Sequence, residues 1–212
     1  MQLRLSLPEK RKAKEVIEAA KQNHKKEKTI VIQPYGSTAI PHPSGFYDDS
    51  LRSIPDDMLD YFITHLIKDY NIIYMGAKEL GDTRMHRPEL GANLREWPAV
   101  IDAADYFIGC DSCGQHMRKC FNKKASVMIA GTHRKNITYD NFHIIERDVP
   151  FYPDSMRISG FQSYMSSRLN EPRIEFTSEE IEKAYLDIVE NIEGEKKVEV
   201  SKPKEIKGVS YV

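Results

Sequence analysis

Short runs of β-branched and aromatic residues recur along this chain, and each is followed by a polar or glycine-containing loop and then an apolar stripe at helical spacing. The runs cover residues 29–33, 71–76, 106–109, 126–130 and 142–145. Between them, Met58, Leu59, Phe62, Ile63, Leu66 and Ile67 repeat at about 3.6 residues, the period of one helix face. Trp97, Val100 and Ile101 mark a further helix over 95–103, and another is expected over 115–123. Strands that alternate with helices of this length need crossover connections, which lay the strands parallel and gather the ligand loops at their carboxyl ends. The expected fold class is therefore α/β, a single Rossmann-like domain with a parallel sheet and flanking helices.

Helix starts are also marked. Ser6 with Glu9 makes a capping box, Pro8 sits in the first turn, and Ala13, Val16, Ile17 and Ala20 share a face. Ser53 with Asp56 reads as a second capping pair, and Thr177 with Glu180 as a third, ahead of Ile181, Tyr185, Ile188 and Ile192. The stretch from 34 to 55, with Pro41, Pro43 and Gly45, reads as one long loop, and loops of that length inside a domain tend to be functional. No pattern assigns 151–172. Residues 1–193 are expected to form the domain, with 194–212 a Lys-rich tail that is either an edge strand or flexible.

With 212 residues, 40% of them hydrophobic, and a net charge of −1, the chain has enough apolar material for a core and no global pull toward polyanions. The opening MQLRLSLP leads into Glu and Lys, so neither a signal peptide nor a membrane span is expected, and the expected location is cytoplasmic. Cys110, Cys113 and Cys120 are an odd set within eleven positions, which suits reduced thiols. Together with His116 they are also zinc or iron–sulfur ligand types. Structural zinc sites usually take two separated ligand pairs, and all four residues here belong to one strand–helix turn, so neither metal nor cofactor is expected. Cys110-x-x-Cys113 resembles a redox pair, but the intervening Asp111 opposes a thiolate. His116 to Lys119, Asn122 to Lys124 and His133 to Lys135 suggest a basic edge; without interleaved aromatic residues, nucleic acid is not indicated as a partner.

Three strand-end loops should meet on one sheet edge: Gly36-Ser37-Thr38, Gly76-Ala77-Lys78-Glu79, and the hexapeptide from Asp111 to His116. The last turns through small residues into a helix, and a helix start offers free N–H groups and a positive dipole end to a phosphate. Taken alone, the same hexapeptide also reads as a tight turn at Gly114 followed by a partly buried histidine.

The run from Ile101 to Ser112, then His116, then Ala125 to Gly131-Thr132, resembles the signature of the family 9 glycosyltransferases, the lipopolysaccharide heptosyltransferase group. Residues 3–148 are similar in order and spacing to the C-terminal, donor-binding half of that two-domain GT-B fold. The resemblance implies a nucleotide-diphosphate-sugar donor, with Asp111, Ser112, Gly114 and His116 on the diphosphate and sugar, Arg52 near phosphate and Glu79 on the ribose; Ser37 and Thr38 are substrate-binding candidates from their place on the first strand-end loop. Cys113 stands where the family has glycine, and Arg52 where it has lysine. The acceptor-binding half, which in the family supplies the base, is not recognisable, so a separate acceptor-binding subunit or a second copy is the implied partner. His42, Asp48 and Asp49 are candidate replacements for the base. The alternative reading is a non-catalytic nucleotide-sugar-binding or regulatory module.

Overall fold

The computed structural model describes residues 3–42, 45–48, 50–76, 80–90, 94–147 and 175–194. The elements are α1 (Leu7–His24), β1 (Lys28–Gln33), β2 (Ile40–His42), β3 (Gly45–Tyr47), α2 (Asp56–Leu66), β4 (Tyr70–Tyr74), α3 (Glu96–Ala103), β5 (Tyr106–Cys110), α4 (Cys113–Cys120), β6 (Ser126–Ile129), α5 (Arg134–Ile137), β7 (His143–Glu146) and α6 (Ser178–Glu193). A five-stranded sheet runs in the order β4-β1-β5-β6-β7, with every neighbouring pair parallel.

The period of two along the strands splits the core between the two sheet faces. Ile30 and Ile32 of β1, Ile72 and Tyr74 of β4, and Tyr106, Ile108 and Cys110 of β5 pack with Met58, Phe62 and Leu66 of α2 and with Ile181, Ala184 and Ile188 of α6. Val31, Ile73, Phe107 and Val127 point the other way, onto Ala13, Val16 and Ala20 of α1 and Val100 and Ile101 of α3. Burying each large aliphatic side chain in this way contributes roughly 1.5–3 kcal/mol.

From β1 the chain steps outward through α2 to β4, then reverses across β1 through α3 to β5. A right-handed crossover rule requires α2 and α3 on opposite faces, as they are. The reversal places a topological switch point between β1 and β5, where Gln33 lies opposite Gly109.

The capping boxes of α1 and α6 form as the sequence indicates, with Glu9 N–H on Ser6 Oγ and Glu180 N–H on Thr177 Oγ1. The pair at α2 does not. Pro55 occupies the N-cap, and no side chain caps the helix. Ser53 and Asp56 are drawn into tertiary bonds instead: Tyr35 OH donates to Asp56 Oδ1 at 2.5 Å and the Phe46 N–H to Asp56 Oδ2 at 2.7 Å. These two bonds pin the β2–β3 hairpin, which interrupts what the sequence presents as one loop. Gly45 adopts φ +127°, and a Cβ there would fall 1.7 Å from Asp56 Oδ2, so the hairpin can close on Asp56 only at a glycine.

Arg118, read from the sequence as part of a basic edge, is 1% exposed. Its guanidinium donates to the carbonyls of Ile101, Ala104, Asp105 and Lys124, tying the end of α3 to the entrances of β5 and β6. Burial lowers its pKa to about 10. The neighbouring charges are also engaged: Lys123 bonds Asp102, and Arg134 faces Glu146 at 3.8 Å. No helix among the described residues is long and apolar enough to cross a membrane.

Candidate functional site

Four segments converge at the carboxyl ends of β1, β5 and β6. The loop after β1 is stitched to the segment before α2 by the Gly36 N–H on Ser53 Oγ at 3.0 Å and the Ile54 N–H on the Pro34 carbonyl at 2.8 Å. The loop after β6 joins them through the Gly131 N–H on the Leu51 carbonyl at 3.0 Å. The turn Asp111-Ser112 completes the edge.

Two carboxylates here have opposite environments. Asp48 is surrounded by donors: the Thr38, Ser50 and Ser53 hydroxyls and the Ser50 and Ser53 N–H groups all reach it. Burial opposes its charge, but the hydroxyls of Ser50, Ser53 and Thr38 outweigh burial and hold the carboxyl below the usual aspartate value. Asp111 is 3% exposed, and burial raises its pKa, against the pull of the Thr132 hydroxyl, the Arg52 and His116 charges and the Gln115 amide. Gln115 Nε2 donates to Asp111 Oδ1 at 3.3 Å, while Gln115 Oε1 is buried without a hydrogen-bond partner among the described residues.

Arg52 is half-buried at the same edge. Its guanidinium rests on hydroxyls, Nε on Ser50 Oγ at 3.0 Å and Nη2 on Thr38 Oγ1 at 3.3 Å, and it forms no ion pair with a carboxylate among the described residues. A cation held by neutral acceptors keeps its charge for an incoming anion. Ser37 and Thr38 are exposed on the adjoining loop.

Gln33, at the end of β1, was not apparent as a site residue. Its side chain reaches the start of α4, where Oε1 accepts the Gly114 N–H at 2.9 Å and Nε2 donates to Ser112 Oγ at 3.2 Å. Ser112 holds the N-cap backbone position with no side-chain cap of its own, so Gln33 takes over the capping. The Gly114 N–H is therefore already used. A Cβ at Gly114 would lie 2.4 Å from Gln33 Oε1 and 2.5 Å from the Phe107 ring, so this glycine admits the glutamine and the ring. The only sequence signal for Gln33 is a polar residue closing a buried strand.

His116 is half-buried, with Nδ1 2.8 Å from the Tyr139 hydroxyl. Of the candidate bases, His42 lies on the exposed strand β2, Asp48 is enclosed by hydroxyls and Asp49 falls outside the described residues; so does Glu79, the expected ribose ligand. Cys110 is fully buried and its thiol is pushed up by burial, Cys113 is exposed and Cys120 half-buried. Among the described residues, no three His, Cys, Asp or Glu side chains are placed to hold a metal ion. No known protein family, curated protein or solved structure matches this chain.

Proposed function

We propose that the switch-point site binds a nucleoside-diphosphate sugar, and that the chain is the donor-binding part of a glycosyltransferase. The observation that carries this reading is the Arg52 guanidinium, held on hydroxyls without an ion pair among the described residues, beside the strand–helix turn Asp111-Ser112. Arg52 would take the diphosphate and stabilise the charge that develops on it as the bond to the sugar breaks. Asp111 and Thr132 offer acceptors and a donor for sugar hydroxyls, and His116 adds a further donor or charge. The α4 start contributes its dipole, although the Gly114 N–H belongs to Gln33.

Transfer also needs a base near the acceptor hydroxyl. Asp48, with its pKa lowered and its oxygens occupied, is poorly suited to that work. The base would then come from an acceptor-binding partner or a second copy. The same observation favours a second reading, a module that binds the nucleotide-sugar without transferring it.

Thermal unfolding in a panel of nucleoside diphosphates and their sugars tests the proposal. A ligand at a hundred times its dissociation constant adds about 2.7 kcal/mol, and one nucleotide should raise the midpoint well above the others. The shift should vanish in Arg52→Ala. Donor affinity unaltered by combining Asp111→Ala with His116→Ala would sink the assignment, and sugar transfer by the purified chain would exclude the non-catalytic reading.

A further inference from the structure

A cleft of about 1000 Å³ opens on the outer side of α4, between that helix, the start of α3 and the segment at Leu3-Arg4. Its volume is at the upper end of the range of small-molecule sites. The walls are mainly apolar, with Leu94, Pro98, Met117, Phe121 and the Tyr139 ring among them. The charged residues that line it are basic, Arg4, Arg95 and Lys119, joined by His116, the thiols of Cys113 and Cys120 and the Tyr139 phenol, with no carboxylate among the described lining. Arg95 is answered by Glu9 at 2.8 Å. Lys119 is not answered by a carboxylate among the described residues; its ammonium donates to the neutral Asn141 amide at 2.6 Å and sits 5.2 Å from the Tyr139 ring centroid.

We infer that this cleft is a binding site for a small planar aromatic anion. An aromatic ring matches the apolar and aromatic walls, and a negative group matches the one-signed rim, which would repel a cation of the same shape. The inference goes beyond the donor site and does not depend on it. Two residues couple the two places: His116, whose charge acts on Asp111 while it lines the cleft, and Cys113, which lines the cleft and accepts from Gln33 Nε2 at 3.5 Å.

Fluorescence titration of the full chain with 8-anilinonaphthalene-1-sulfonate tests the inference. One saturable site is expected, weakened about tenfold or more by Lys119→Glu, and further when Arg4→Glu is added. Leu186→Ser, at an exposed position on α6, should leave the affinity unchanged, as should Arg52→Ala, so that this inference and the donor proposal fail separately. The native thiols supply a readout that needs no variant. Bound probe should slow alkylation of Cys113 and Cys120 by N-ethylmaleimide, with buried Cys110 unreactive throughout. Displacement by adenosine diphosphate would identify a nucleotide base as the natural occupant, and displacement by 4-hydroxybenzoate an aromatic carboxylate. Displacement by neither, affinity unmoved by the charge reversals, or thiols left unprotected would overturn it.

Discussion

Asp111 and Asp48 share an edge of the sheet but differ in what folding does to their charge. Asp48 is stabilised as the anion by three hydroxyls, whereas Asp111 is buried with too few donors, and its pKa rises. A carboxylate whose folded pKa is raised favours the fold fully only when protonated; as pH rises through the folded value, ionisation weakens it. Asp111→Asn keeps the shape and removes that charge, so the unfolding midpoint at neutral pH should rise while nucleotide-sugar binding falls, measured by thermal unfolding with and without ligand. A midpoint that drops would mean that the charge of Asp111 supports the fold through Arg52. The strand–helix turn that carries Asp111, Ser112, Gly114 and His116 was legible because it is a local pattern. The difference between the two aspartates was not, since it arises from the burial of Asp111 at the sheet edge and from the fold of the 48–53 turn, which sets the Ser50 and Ser53 hydroxyls on Asp48 and brings Thr38 to it from the loop after β1.

At the scale of elements, the bond between β1 and α4 is made by one side chain. Gln33→Leu fits the same space but leaves the Gly114 N–H and the Ser112 hydroxyl without it. An uncapped helix start in a buried setting costs about 1–3 kcal/mol, which a urea unfolding curve should report, while Ser37→Ala on the exposed loop should change little. Helices α1 and α6 were readable because their capping boxes lie within four consecutive residues. The cap of α4 was hidden because it is 81 positions away in the chain. The hairpin was missed for a related reason: β2 and β3 have three residues each, and it is Asp56 and Tyr35 that hold them in place. Ser53 and Asp56 have the spacing of a cap, but the tertiary partners compete successfully for both side chains.

For the molecule as a whole, burial sets how stability follows pH. His86 and His143 are both held below the ordinary imidazole value of 6.5 by burial, with Asp187 at 3.9 Å partly opposing this at His143. The unfolded chain therefore takes up these protons first as pH falls. Stability is full above 6.5 and declines as pH drops toward the lowered folded values. Asp48 acts in the same direction further down, its contribution present above 3.8 and lost below. The urea midpoint should hold above about pH 6.5 and fall as the pH drops toward about 5, and His143→Gln should flatten that fall; a midpoint that rises as the pH drops below 6.5 would contradict this account. The strand order carries another consequence, for the making of the protein. β1 is the first strand to be synthesised, yet its partners end only at Tyr74 and Cys110. During translation the apolar run Ile30-Val31-Ile32 has no partner on either edge until β4 is made, and its edge toward β5 stays unpaired until Cys110 has followed. Pairings of that sequence separation form slowly, so the nascent chain should depend on chaperones most while its eventual centre is still uncovered.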